Sequence, residues 1–276
     1  MDSDKNKYVK KVVLNVRGIT NMSGMFSGLY NLEEVSCIGH CDFSHVTDMS
    51  NLFKRCWSLK KVDLTAFDTS NVTNMSGMFS LCSSLKTIDV SRFNTSKVTD
   101  MSDMFSYCES LNMIDVSNFD TAQVVSFEDM FGGCQELTAL DVSGFNTAKA
   151  TNMSYMFTHC ISLTSLDISN FDTSKVTSMM AMFSGCEKLT SLKVDNFNTS
   201  NVENMLGMFS DCANLKELDL SKFDVSKVTS IEFMLSDCDS LLTLKTMPNL
   251  QLTVEVPVLA KNWIGEDGSK YHQPIS

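Results

Sequence analysis

Apolar positions recur along this chain with two alternating spacings. Leu85, Ile88 and Val90 close on an in-out-in pattern with Asp89 at the outward position, and this alternation predicts a short strand. Met75, Met78, Phe79 and Cys82 instead stand at i, i+3, i+4 and i+7, which predicts about two helical turns with one apolar face. The strand pattern returns at Leu59/Val62/Leu64, Leu111/Ile114/Val116, Leu137/Leu140/Val142, Leu163/Leu166/Ile168 and Leu215/Leu218/Leu220. Each unit therefore reads as strand, turn, short helix, turn.

The interval between units is constant. From Met78 through Met104, Met130, Met156, Met182 and Met208 to Met234 the step is 26 residues, preceded by one step of 27 from Met25 to Leu52. A fixed period of this length marks stacked repeats. A single unit cannot bury its apolar face alone, whereas stacked units share a continuous core. Proline occurs only at positions 248, 257 and 274, after the last unit, so none interrupts a ladder. After each strand comes Phe-Asp/Asn-Thr-Ser. The alternation of Asp68, Asn94, Asp120 and Asn146 predicts a side-chain oxygen that accepts from the local backbone. Thr73 or Asn74 would cap the helix.

Three segments follow from this register. Residues 1–24 read as an N-terminal cap and partial first coil, with Leu14 in the Phe slot, Ile19 in the Val slot and Met22 in the Met slot. Residues 25–245 form the solenoid, and residues 246–276 a C-terminal cap or the start of a following module. In that last segment Leu252, Val254, Val256 and Val258 alternate as a strand does. Trp263 and Tyr271 flank Glu266-Asp267-Gly268, a hairpin-turn signal.

Charge removes some functions. A net charge of −11 with a pI near 4.8 argues against nucleic-acid binding, which needs a basic face. No run approaches the ~18 apolar residues of a membrane span, so membrane insertion of this segment is not expected. The polar start Met1-Asp2-Ser3-Asp4 lacks a signal-peptide core.

Eight of the ten cysteines, Cys56 to Cys238, keep the interval of 26. Leu29 fills the same slot in the first unit, so the row reads as buried packing by free thiols. Cys37 and Cys41 lie off the row, in the irregular unit, where a local disulfide is the alternative to two thiols. The four histidines show no period and no adjacent acid and nucleophile, and no enzyme activity is expected.

One row is less easily absorbed by folding. Asp63, Asp89, Asp115, Asp141 and Asp167 take the outward strand position of successive units; Lys193 interrupts them and Asp219 resumes. At the ~4.8 Å spacing of parallel strands, neighbouring carboxylates repel by roughly 0.9 kcal/mol in water and ~3.5 at an effective dielectric of about 20. Ser91, Ser117, Ser143 and Ser169 are placed to offset this by donating, and mutual repulsion is expected to raise the carboxyl pKa values. The alternative is a cation site, calcium in particular, or a site for a basic ligand. The units around 112–170 carry small or polar outward residues, so the ligand-binding candidates are Asp89, Asp115, Asp141, Asp167, Met113, Asn118 and Asn170.

The series Met-Phe-Ser-x-Cys-x-Ser-Leu and Leu-Asp-Val-Ser-x-Phe-Asp-Thr-Ser-x-Val-Thr-x-Met resembles the BspA-like leucine-rich repeats. The likeness is to the 26-residue variety of bacterial surface proteins and lipoproteins, and it runs from about residue 10 to 245. The resemblance implies an α/β repeat fold, a right-handed leucine-rich-repeat solenoid with terminal caps. It implies surface display or secretion without enzyme activity, and adhesion or protein binding through a concave strand face to a protein or glycan, host surfaces included. Where ordinary leucine-rich repeats carry an Asn ladder, this chain has Phe93 and its equivalents. A stalk presenting another domain and an intracellular scaffold remain the alternatives, since the export signal is missing from the sequence.

Overall fold

The computed structural model describes residues 8–39 and 41–246, together with the backbone of two short strands beyond them. The strands are β1 (Lys11–Leu14), β2 (Glu34–Cys37), β3 (Lys61–Val62), β4 (Glu217–Asp219), β5 (Thr243–Lys245), β6 (Trp263–Ile264) and β7 (Lys270–Tyr271). β1, β2 and β3 pair in parallel, as do β4 and β5, while β6 and β7 form the antiparallel hairpin expected around Asp267-Gly268. The alternating run Leu252–Val258 lies outside the described residues.

The expected stack of coils is present, but its helices are not. Among the described residues there is no helix, and the segment Met75–Cys82 is a run of turns. The reason is visible in its hydrogen bonds. Met78 N, Ser80 N and Cys82 N donate locally to Met75 O, Gly77 O and Phe79 O. The intervening amides of Met75, Gly77, Phe79 and Leu81 donate to Asp100 O, Ser102 O, Met104 O and Ser106 O of the next coil. A helix would turn the N–H groups beyond its first turn inward and so remove Phe79 N and Leu81 N from the bonds that join the coils. The turn run needs left-handed backbone at every fourth residue, and Gly77 (φ +61°) and Leu81 (φ +62°) supply it. Non-glycine residues there cost on the order of 1 kcal/mol each, which the bonds between coils offset. Asn74 does not cap a helix; its Oδ1 accepts from Ser76 N at 2.9 Å. A chain of parallel bridges, Asn21–Asp48–Asn74–Asp100–Ser126–Asn152–Ser178–Asn204–Ser230, carries this ladder along the whole solenoid.

Gly133 shows how closely adjacent coils approach. Its φ is +70°, and a Cβ there would lie 2.8 Å from the Tyr107 ring and 3.2 Å from the Tyr107 Cα. Gly133→Ala is therefore expected to cost about 2–4 kcal/mol, the sum of backbone strain and overpacking. Gly24→Ala, also at positive φ but with its nearest neighbour at 3.8 Å, should cost only about 1 kcal/mol. Denaturant unfolding of both variants measures the difference, and equal losses would show that the contact with Tyr107 does not matter.

The strand row is thinner than predicted. In the central coils it keeps only occasional backbone bonds, such as Asn112 N to Lys86 O at 3.1 Å and Thr164 N to Thr138 O at 3.3 Å. Each outward Asp accepts from the amide two residues on, in the coils that keep paired strands and in those that do not.

The core follows the sequence rows. The side chains of Phe53, Phe79, Phe105, Phe131, Phe157, Phe183 and Phe209 are fully buried, and their rings stack with centroids 5.4–6.1 Å apart. The eight cysteines of the row are buried free thiols, and each donates to a Phe carbonyl one coil back, as Cys82 does to Phe53 O at 3.3 Å. Burial pushes the Cys56 and Cys238 thiols up to about 12. Asp68 and Asn94 accept from the amides of Ser70 and Ser96 as expected. Buried Thr69 adds a clamp that pattern reading did not anticipate. Its hydroxyl donates to Asn94 O at 3.0 Å and accepts from Asn94 N at 2.7 Å.

The first coils depart from the expected register. Leu14 pairs with Cys37 in the strand row, so it occupies the slot of Leu64 rather than the Phe slot. Phe43, which stacks on Phe67 at 4.5 Å, follows Cys37 by six residues, whereas Phe67 follows Leu64 by three. The coil thus gains three residues before its Phe and loses two after it, since Val46 follows Phe43 by three and Val72 follows Phe67 by five.

Candidate functional site

The stack brings Asp63, Asp89, Asp115, Asp141 and Asp167 to one face at equivalent positions of successive coils. In each, Oδ1 is already engaged. Asp89 Oδ1 accepts from Ser91 N at 3.0 Å and Ser91 Oγ at 2.6 Å, and Asp141 Oδ1 from Ser143 N at 2.9 Å and Ser143 Oγ at 2.6 Å. Asp115 and Asp167 accept from Ser117 N and Ser169 N, each at 3.0 Å.

These bonds reverse one expectation. The serine hydroxyl first, and the serine amide second, hold the carboxyls of Asp89, Asp115, Asp141 and Asp167 below the usual range. The neighbouring carboxylate pushes Asp115 and Asp141 the other way, but it is the smaller effect. Two donors at hydrogen-bond distance outweigh a like charge one coil away across solvent. The row is therefore fully ionised at neutral pH.

The other oxygen is left to face outward. Among the described residues no side chain donates to Oδ2 of Asp89, Asp115, Asp141 or Asp167. Where the row ends, Lys245 Nζ sits 2.6 Å from Asp219 Oδ2, and with Ser221 it depresses that carboxyl to about 2. Among the described residues, Asp219 is thus the member of this row that carries a cation on Oδ2. Among the described residues no group of three or more His, Cys, Asp or Glu side chains converges as a metal cage.

The remaining candidates divide. Met113 is 66% exposed on this face, beside Asp115. Asn118 and Asn170 are structural in part: Asn118 Nδ2 lies 3.1–3.2 Å from Val90 O, Ser91 O and Phe93 O, and Asn170 Nδ2 lies 2.6 Å from Ser143 O and 2.9 Å from Phe145 O. Their amides clamp one coil to the one before it. Cys37 and Cys41 are half-buried free thiols. Burial, then the hydrogen bond with Cys41, pushes Cys37 up to about 12, and Cys41 Sγ donates to Leu14 O at 3.4 Å.

Two grooves flank the row. One of about 310 Å³ is lined by Lys61, Asp63, Asp89 and Arg92, and one of about 440 Å³ by Lys193, Asp195, Asp219, Lys222 and Lys245. The second was not foreseen, although the Lys193 interruption of the Asp row was its one sequence signal. Both lie outside the central stretch that the sequence favoured. No helix among the described residues is long and apolar enough to cross a membrane.

Stacked coils with a continuous core and an outward row of ionised carboxylates define a repeat protein with an extended acidic face. The chain belongs to the family described as "Mycoplasma protein of unknown function, DUF285", whose model matches residues 3–88, 82–167 and 159–246 in succession. Among solved structures it is similar to a leucine-rich-repeat protein of Treponema pallidum, at 20% identity over 75% of this chain and 78% of that one, with a TM-score of 0.41. A leucine-rich-repeat protein of Eubacterium ventriosum matches at 18% identity over 74% and 59% of the two chains, TM-score 0.44. A leucine-rich cell surface protein of Faecalibacterium prausnitzii matches at 19% identity over 86% and 81%, TM-score 0.37. No curated protein matches the sequence. The bacterial leucine-rich-repeat resemblance read from the motifs agrees with these neighbours.

Proposed function

We propose that the chain is a non-catalytic interaction module of a bacterial surface protein that holds a basic segment of a protein partner along the Asp89–Asp115–Asp141–Asp167 row. The observation that carries this is the free Oδ2 on each carboxylate, together with the Lys245 amine already seated on Asp219 Oδ2. Each Asp is ordered by its serine, so little side-chain freedom is lost when a cation docks. Four fixed charges one coil apart attract an extended cationic segment, and neighbouring Met113 offers an apolar contact. The surface assignment rests on the family resemblance of the repeats.

A lysine-rich peptide serves as the probe. Titration against the folded chain at low salt should give binding that weakens steeply with ionic strength. The combined Asp115→Asn, Asp141→Asn and Asp167→Asn change should weaken it at least tenfold. Unchanged affinity in that variant sinks the assignment to this face. Calcium is the other cation the row suggests, and a melting temperature that differs between calcium and chelator would favour it instead.

A further inference from the structure

The position just before the Phe that follows each strand holds, in six successive coils, Arg92, Asn118, Gly144, Asn170, Asn196 and Lys222. Five of these side chains carry nitrogen donors, and four of them reach back to main-chain carbonyls of the preceding coil. Asn118 Nδ2 lies 3.1–3.2 Å from Val90 O, Ser91 O and Phe93 O, so three carbonyl oxygens converge on one nitrogen. Asn170 Nδ2 and Asn196 Nδ2 each hold two members of the equivalent set, at 2.6–3.1 Å. Lys222 shows that an ammonium serves as well, since its Nζ donates to Asp195 O at 3.2 Å.

Gly144 is the member of this series without a donor, and it leaves Val116 O, Ser117 O and Phe119 O uncovered. Among the described residues nothing donates to Ser117 O or Phe119 O. Val116 O receives only the local bond from Phe119 N at 3.0 Å, which its equivalent Val90 O also receives from Phe93 N. The backbone does not require glycine here. Gly144 has no left-handed φ, and an added Cβ would meet nothing nearer than Ser117 O at 3.8 Å, an ordinary contact. What the glycine does is keep three carbonyl oxygens open in the middle of the solenoid, where Gly144 and Ser117 are exposed. The cradle also adjoins the acidic row. Arg92 lines one groove together with Asp63 and Asp89, and Lys222 another together with Asp195 and Asp219. By the same register Gly144 stands beside Asp115 and Asp141.

We propose that the cradle of Val116 O, Ser117 O and Phe119 O seats the ammonium of a partner lysine, which rests on and sharpens the reading of the Asp row as the seat of a basic segment. A primary ammonium carries three N–H donors on one nitrogen, and the Asn118 geometry shows that one nitrogen reaches all three oxygens of such a set. Arginine spreads its donors over a flat fork and cannot aim three of them at one point. Calcium takes about six to eight oxygens at ~2.3–2.6 Å, more and nearer than a cradle that holds nitrogen at 3.1–3.2 Å. The carboxylates on either side attract any cation, and the carbonyls select lysine among them.

Two peptides test this: the lysine-rich probe, and the same peptide trimethylated at every lysine, which keeps its charge but has no N–H to donate. The parent chain should bind the first at least about tenfold more tightly, the scale of one charge-assisted hydrogen bond. Gly144→Asn installs the amide that neighbouring coils carry and should fold as they do. It should weaken the lysine peptide by a similar factor and the trimethylated peptide little. Because no charge is removed, the salt dependence of binding should stay as it is in the parent. Equal affinity of the parent for the two peptides overturns the cradle and leaves the row standing. So does a Gly144→Asn chain that binds the lysine peptide as tightly as the parent, or that weakens both peptides alike. A parent chain that binds neither peptide overturns the reading of the row itself, and the cradle with it.

Discussion

Phe131→Ala is expected to lower the unfolding free energy by about 3–5 kcal/mol, the range for deleting a buried aromatic ring that leaves a cavity. Phe131 is fully buried and stacks between Phe105 at 5.7 Å and Phe157 at 6.1 Å. The ring therefore touches both neighbouring coils, and its loss weakens two interfaces at once. In a solenoid such losses stay local, because each coil contacts only its neighbours. Hydrogen exchange should accordingly quicken most in the coils that hold Phe105 and Phe157. Phe131→Leu is the control. Leu235 fills the same slot near the end of the stack and remains buried, so the leucine variant should lose about 1–1.5 kcal/mol by volume mismatch alone. If alanine costs no more than leucine at this position, the stacked rings are not what joins the coils.

Phe131 belongs to the part of the structure that is legible in the sequence. Its row, the Cys row and the Met rows could be read because apolar slots that recur every 26 residues must meet their equivalents when the units stack. The helix could not be read correctly. Met75, Met78, Phe79 and Cys82 have the spacing of a helical face, but two successive four-residue turns place Met75, Met78, Phe79 and Cys82 at the same corners. What distinguishes them is the left-handed backbone at Gly77 and Leu81, and Leu81 gives no sign of it. The face divided likewise. That Asp89 and its equivalents share one surface with their serines followed from alternation alone. Their pKa direction did not, since it depends on a 2.6 Å bond from Ser91 whose weight against a neighbouring charge requires the geometry. The clamps made by Asn118 and Asn170 reach carbonyls 25–28 residues back. No local pattern reports such partners.

Asp129 is the place where the repeat is under strain, and its replacement should stabilise the chain. Its Oδ2 accepts from Ser106 Oγ at 2.6 Å, while Oδ1 is buried without a partner. The Ser or Thr that other coils carry three residues further on would not fit beside it. Gly132 stands in that slot, and any Cβ there would fall 1.7 Å from Oδ1. Burial, opposed by the Ser106 bond and reinforced by Asp103 and Glu128, lifts the carboxyl to about 6; Lys54 pulls weakly the other way. The unfolded chain ionises near the ordinary 3.8. Between these two values the folded state binds more protons than the unfolded state, so stability falls as pH rises through this window. Above about pH 6 the whole cost is present, on the order of 2–3 kcal/mol for a shift of about two units at a partly hydrated site. Asp129→Asn removes the ionisation. Asparagine already occupies the equivalent left-handed position as Asn51, with φ of 53°. The variant should therefore be more stable than the parent at about pH 7 by about 1–3 kcal/mol, the lower end if the new amide finds no acceptor. That advantage should shrink steadily on acidification and vanish below about pH 4, where Asp129 becomes protonated in both states. Comparing the two chains at each pH cancels the acid loss from the depressed carboxylates of the strand face. An advantage that stays flat from about pH 7 to about pH 4 would mean that the gain comes from backbone preference at this position and not from the buried charge.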